Sequence, residues 1–445
     1  MHYQPMTPAD KQEMLAACGV ASFEELIKGI PVSLRNPKLN IPEGLSEFEV
    51  QTLIKNIGAE NANTREHLSF LGGGSYEHFI PAAVFQIAGR GEFYTAYTPY
   101  QPEASQGTLQ AIYEYQSLMA ELSGMDISNG SHYDGATSLA EAAILACKQT
   151  DRTKILISKS VHPHYRRAVK TYVEGTPYKV EEFNYRADFG FDKSDLFSKV
   201  GPDVAGVVFQ TPNYFGVLEN LDRMSEELHA AGALMIIVAE PTSMALLKSP
   251  GEWGADVAVG EGQPLGLPVS FGGPYLGYFA VTRALMRRIP GRLVGLTKDS
   301  DGKRAFALTL QAREQHIRRE RAASNICTNQ ALCALAACIN MTLMGKEGMK
   351  ELADLNMDRA FYLRAKIAQV KGFEVNLQAP IYNEFVVKSE KPFAEIQEKL
   401  LAKKIFAGID LTQFYPEMKN SFLVCATETK TKEDLDRFAE ALSQC

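Results

Sequence analysis

VAGVVFQ (204–210), LMIIVAE (234–240) and DVAVG (256–260) are three short apolar runs rich in β-branched residues. The segment between the first two, 219–231, reads as helix. KILIS (154–158) and YKVEEF (178–183) come earlier and enclose another helical stretch, 161–173. Apolar strands that alternate with helices must be covered on both faces, which predicts an α/β protein with a mostly parallel sheet. YLGYFAVT (275–282) follows only the turn Gly272-Gly273-Pro274, too short for a parallel crossover, so this strand is expected to run antiparallel.

Downstream of the sheet, residues 303–370 read as strongly helical. The remainder mixes short strands (FEVNL, EFVVK, FLVCAT) with amphipathic helices at 392–404 and 431–443, which reads as a smaller α+β domain. Upstream, TPADKQEMLAACG begins with Thr7 as helix cap and Pro8 at the first helical position, and Ser46 caps a second helix. The expected organisation is a helical arm (1–68), a large α/β domain (69–302), connecting helices (303–345) and a small C-terminal domain (346–445). Gly72-Gly73-Gly74 lacks the spacing of a dinucleotide fingerprint and reads as a mobile or tightly turned loop.

The composition excludes several classes of function. With 45% hydrophobic and 22% charged residues, the 445-residue chain has the balance of a packed globular protein. A net charge of −7 gives no reason to expect nucleic acid or an anionic membrane as partner. Arg313, Arg318, Arg319 and Arg321 are interleaved with Glu314 and Glu320 and read as a solvated helix face with local ion pairs. No apolar signal core or membrane span is evident, and the seven cysteines form no Cys-x-x-Cys pair, so a cytoplasmic location is the default expectation.

Two stretches carry candidate chemistry. YTAYTPYQPEASQG (94–107) is too rich in Tyr, Thr and Pro for a regular element, and its hydroxyls sit beside apolar rings ahead of a helix. Glu103, Ser105 and Gln106 then fall at or near a helix N-terminus, where an anion is welcome. Packing alone would explain such a loop equally well. Asp134-Gly135-Ala136-Thr137 looks like a phosphate cup, with an N-cap for the helix over 138–148 as the simpler reading. His162 and His164 flank a proline without further metal-ligand spacing and read as solvated loop residues.

YTAYTPYQPEASQGTLQAIYEYQSLMAELSGMDISNGSHYDGATSLAEA, LGLPVSFGGPYLGYFA and REQHIRRERAASNICTNQAL resemble the P-protein family of the glycine cleavage system, glycine dehydrogenase (decarboxylating). The likeness covers nearly the whole chain, at the length of the separate alpha subunit (subunit 1) of the split form. It implies the pyridoxal-phosphate fold type I architecture, with an N-terminal helical arm, a mostly parallel large domain and a small α+β C-terminal domain. Such a decarboxylase anchors its cofactor through a lysine just after the strand at 256–260, because the pyridinium must serve as electron sink. Here Gln263 stands roughly in that place, and an amide forms no Schiff base. The aspartate expected at the end of strand 234–240 is replaced by Ala239 or Glu240.

The resemblance therefore implies a division of labour. Pyridoxal phosphate would be held covalently by a lysine-bearing beta subunit (subunit 2) in an α2β2 assembly. This chain would complete the partner's active site, where glycine loses carbon dioxide and its aminomethyl group passes to the lipoyl arm of H-protein. Tyr97, Tyr100 and Glu103 are expected to line the glycine or lipoyl-arm pocket, with Ser105 and Gln106 near the cofactor phosphate and no metal site. The alternatives are a non-catalytic scaffold or regulatory subunit, and a self-sufficient pyridoxal-phosphate lyase or aminotransferase homodimer.

Overall fold

The computed structural model describes residues 6–35, 37–322, 324–326 and 329–445. The chain divides into two compact units, Met1–Asn63 and Thr64–Cys445. In the first, helix α1 (Pro8–Ala17) starts at Thr7 and helix α2 (Glu47–Ala59) at Ser46. Both starts are capping boxes in which Thr7 or Ser46 accepts from the third helical amide and an acidic side chain answers the cap's own N–H.

The second unit is built on a seven-stranded sheet. Its strands are β1 (Ile127–Ser128), β2 (Lys154–Ser158), β3 (Lys179–Phe183), β4 (Val204–Thr211), β5 (Leu234–Ala239), β6 (Val257–Glu261) and β7 (Gly277–Val281). They lie in the order β1-β7-β6-β5-β4-β2-β3. Five of them, from β6 across to β3, pair in parallel, and β7 runs antiparallel to both its neighbours, as the short glycine–proline turn requires. Side chains alternate between the sheet's two faces. Ile155, Ile157, Ile236 and Val238 enter one core with helix α4, whereas Leu156, Met235 and Ile237 enter the other with helices α3 and α6 (α3, Gln106–Ser123; α4, Gly135–Thr150; α6, Ala331–Ile367). Helix α5 (Pro163–Val173) follows β2. Helix α3 ends at Gly124, whose φ of 67° is the left-handed geometry that glycine adopts without strain.

Part of the reading of 303–370 as helix is corrected here. Strands β8 (Leu293–Lys298) and β9 (Arg304–Thr309) form an antiparallel pair, and only from Ala331 does the long helix begin. Ala, Leu and Arg favour helix locally, but Phe306 is buried against Leu109 and Ile112 of α3, and that packing selects the strand. Helix α6 runs on across residue 345, where Gly345 takes φ 61° and breaks the helical geometry. A four-stranded antiparallel sheet built on Phe373–Val375, Glu384–Ser389, Ser421–Cys425 and Ile409–Asp410 closes the C-terminal region. It packs beneath helices Phe393–Ala402 and Lys432–Ser443. Among the described residues no helix is long and apolar enough to cross a membrane.

Candidate functional site

In an open parallel sheet, ligands bind beyond the carboxyl ends of the strands. Here that edge collects Glu240 after β5, Glu261 at the end of β6, His162 before α5 and the N-terminus of α4. The loop Gly72-Gly73-Gly74-Ser75-Tyr76 joins them, because Gly73 (φ 69°) and Gly74 (φ 99°) let it pass close under Glu384 and His162.

Gln263, at the position of the expected lysine, is wholly buried. Its Nε2 donates to the carbonyls of Tyr76 (2.8 Å) and Leu267 (2.7 Å), and its Oε1 accepts from the Tyr76 N–H at 2.9 Å. Every donor of the amide is used. Glutamine here is a bracket that ties the glycine loop to the strand edge.

The phosphate-cup motif is also satisfied from within. Asp134 Oδ1 accepts from the Thr137 N–H at 2.7 Å, which bears out the N-cap reading. The first free amide of α4, Gly135 N–H, donates to Glu261 Oε2 at 3.0 Å. Glu261 Oε1 accepts in addition from the N–H groups of Gln263 (3.0 Å) and Leu276 (2.8 Å). A carboxylate thus sits where a phosphate would meet the positive end of the helix. Burial raises the Glu261 carboxyl to about 7, opposed by the three amides. Gly135 is required here because a Cβ would lie 2.3 Å from the Tyr165 hydroxyl.

Two further carboxyls complete the enclosure. Glu240 accepts from the N–H groups of Thr242 (3.1 Å) and Ser243 (2.6 Å), so it caps a turn. Burial raises its pKa. Glu384 accepts from Gly73 N–H (2.6 Å) and the Tyr76 hydroxyl (2.7 Å), and burial raises it to about 7. His162 is buried, which corrects its reading as a solvated loop residue. Its Nδ1 accepts from His164 N–H (3.1 Å), leaving Nε2–H to donate to Gly73 O at 2.7 Å. Desolvation lowers it to about 4, so the ring is neutral at physiological pH, stacked 4.7 Å from Tyr165. Among the described residues no group of three His, Cys, Asp or Glu side chains is placed to hold a metal ion.

What remains open is a cavity of about 30 Å³ lined by Gly74, Tyr76, His162, Tyr165, Glu240 and Glu261, room for ordered water. A pyridoxal phosphate does not fit: no amine is present to anchor it, a carboxylate fills its phosphate position, and the ring has no space.

The tyrosine loop lies elsewhere. It runs from a helical turn at Gly91–Tyr94 through a 3₁₀ turn at Pro102–Ala104 into α3. Tyr97 is 84% exposed and edges a separate cavity of about 200 Å³ with Thr98, Ile112, Arg292 and Leu335. Tyr100 is 45% exposed, with the Arg292 guanidinium 5.7 Å above its ring and His316 edge-on at 6.2 Å. Glu103 is exposed, and Ser105 is the N-cap residue of α3 without a side-chain capping bond. The Gln106 Nε2 donates to the carbonyls of Pro102 (2.7 Å) and Phe306 (2.9 Å), and its Oε1 accepts from Phe306 N–H (2.9 Å). Gln106 therefore clamps β9 to the loop. The structure brings Tyr97, Tyr100 and Arg292 together and keeps all five expected site residues out of the closed cavity's lining.

The residues missed from the sequence are Glu261, Glu384, Tyr76 and Tyr165. The meaning of Glu261, Glu384 and Tyr76 depends on partners more than a hundred positions away, as with Gly135 and Glu261, whereas Tyr165 stacks on His162 three positions before it. The one local signal is an acid in the GEGQ string after a buried strand.

The sheet order, the reversed strand and the site at the carboxyl edge define the fold type I class of pyridoxal-phosphate enzymes. Distant solved structures share that fold. A NifS-like protein superposes with TM-score 0.63 at 12% identity over 85% of this chain and 98% of its own, and a sphingosine-1-phosphate lyase from Burkholderia pseudomallei with 0.66 at 14% over 93% and 94%. A crystal structure of glycine decarboxylase (P-protein) of the glycine cleavage system, in inhibitor-bound form, superposes with TM-score 0.91 at 41% identity over the full length of both chains. The sequence profile described as "Glycine cleavage system P-protein" matches residues 1–442, and the chain belongs to that family. Curated relatives named "Probable glycine dehydrogenase (decarboxylating) subunit 1" include those of Desulfitobacterium hafniense (49% identity, 100% of both chains) and Moorella thermoacetica (49%, 99% of both).

Proposed function

We propose that this chain is the subunit of a two-subunit glycine decarboxylase that carries no cofactor lysine, and that it completes the active site of a lysine-bearing subunit 2. The observation that carries this reading is the closure of its own cofactor position. Gln263 is fully hydrogen-bonded, Glu261 occupies the helix N-terminus, and a cavity of about 30 Å³ is left beside Glu261. The name "subunit 1" borne by relatives of the same length supports a partner chain.

In this reading pyridoxal phosphate is held covalently by the partner in a cytoplasmic α2β2 assembly. The assembly decarboxylates glycine and passes the aminomethyl group to the lipoyl arm of H-protein. This chain's own contribution is the loop at 94–107. Tyr97 lines a cavity with Arg292, whose guanidinium lies over the Tyr100 ring, so the loop offers phenol groups and a cation able to orient a carboxylate while the rings exclude water. Glu103 and Ser105 belong to the same loop, and Gln106 sets the loop's position through Phe306.

The test is glycine decarboxylation with pyridoxal phosphate and lipoylated H-protein, using this chain alone, the lysine-bearing subunit alone, and both. Activity confined to the mixture is expected, with borohydride-trapped cofactor found by mass spectrometry on the partner alone. Trapped cofactor on this chain would defeat the proposal. Full activity of the partner alone would reduce this chain to a scaffold.

A further inference from the structure

The arginines near residue 320 are not a neutralised helix face. The segment 311–321 folds back as short turns, and the Arg313 Nη1 donates to the Ile289 carbonyl, which pins it over residues 287–290. Between them and α4 lies a cavity of about 320 Å³, within the size of small-molecule sites (roughly 300–1,000 Å³). Six cationic side chains from three separate segments line it: Lys148 of α4, Arg287 and Arg288, and Arg313, Arg318 and Arg321.

The acidic residues nearby balance them only in part: Glu314 acts on Arg313 and Glu141 on Lys148. Glu314 is buried, with His316 Nδ1 3.7 Å from one oxygen. Glu320 approaches Arg321 Nε only to 3.8 Å between two exposed side chains, an arrangement that contributes little. Glu141, in the cavity wall, is buried, and desolvation raises it to about 7, so it is partly uncharged near neutral pH. The side chains of Arg287 and Arg288 make no hydrogen bond or ion pair among the described residues. In a chain of net charge −7, this cluster is a local excess of positive charge inside a concavity, where field lines are focused.

We propose that this cavity binds a small phosphate-bearing anion through Arg287, Arg288, Arg318 and Arg321. Guanidinium forks match carboxylate and phosphate alike. A planar carboxylate is satisfied from one side, whereas a tetrahedral phosphoryl group accepts donors from several directions, and here the donors come from separate walls. The site shares no lining residue with either the closed cofactor position or the tyrosine-loop cavity, so it stands independently of the proposed catalytic role.

Calorimetric titration of the full chain, and of its complex with the lysine-bearing subunit, with inorganic pyrophosphate tests this. The expected result is saturable binding in both, weaker at higher salt, and reduced about tenfold or more by Arg287→Ala/Arg288→Ala, since hydrogen bonds to charged groups are lost. Both side chains are exposed, so the double variant should melt at the wild-type temperature, and the complex should keep its decarboxylation rate. Arg287→Lys/Arg288→Lys should fall between, keeping charge and losing the fork. Binding unchanged in the alanine variant, or no tighter than chloride at matched ionic strength, would overturn the proposal. Loss of pyrophosphate binding on assembly with the partner would overturn it too, and would assign the arginines to a protein contact.

Discussion

Replacing Glu384 by glutamine should stabilise the protein, and increasingly so as pH rises from 4.5 to 8. Glu384 is fully enclosed, and its carboxyl titrates at about 7 instead of the ordinary 4.5, chiefly through desolvation. A carboxyl raised on folding adds stability that is fully present below its unfolded pKa and is lost as pH rises through the folded one. The native state then binds more protons than the unfolded chain between about 4.5 and 7. Between pH 5.5 and pH 8 the wild-type loss from this group comes to about 2 kcal/mol. Glutamine keeps the shape. Its oxygen still accepts from Gly73 N–H, its NH₂ can donate to the Tyr76 oxygen, and no charge forms. Glu384→Gln should therefore gain about 2 kcal/mol of stability relative to the wild type between pH 5.5 and pH 8, read as a widening gap between their urea midpoints. Equal destabilisation at both values would refute the argument, because it would mean that the ionised carboxylate is the form that binds the glycine loop.

Tyr97→Phe/Tyr100→Phe should lower turnover of the two-chain complex about tenfold or more, by loss of hydrogen bonds to a charged group, without dissociating it on size-exclusion chromatography. Unchanged turnover would remove the loop from the active site. Gln263→Lys should not produce a cofactor-binding chain, since the space and the anion position are already filled. It should cost about 1–3 kcal/mol by leaving the buried Tyr76 N–H without its acceptor. A borohydride-trapped pyridoxyl adduct at residue 263 would show that the enclosure opens.

The sheet was legible because its strands are buried on both faces, and such runs as VAGVVFQ and LMIIVAE have few other uses. Reversal of β7 was legible from a constraint of length, as a two-glycine turn cannot carry a crossover. Strand β9 was not. RAFALT has good helix formers, and its state is decided by pairing with residues 293–298 and by Phe306 packing on α3. The absent lysine could be seen one residue at a time, but what replaced it could not. Glu261 reads as an unremarkable acid until the fold lays it against Gly135, and His162 reads as a loop residue until Tyr165 and Gly73 enclose it. Exposure of the tyrosines at 97 and 100 is likewise decided by where the loop lies on the folded chain.

The hydrogen bond from Gly135 to Glu261 has a consequence for supply. A helix start that already carries its own anion has no appetite for a phosphate ester, however much of it is dissolved nearby. If two similar chains are made together and one draws on a scarce cofactor pool, the other adds nothing to the demand. Under the proposed division of labour, its surplus copies would not act as a sink that starves the lysine-bearing subunit. Loading would then depend on the amount of that chain alone, and this one could be made in excess at no cost in cofactor.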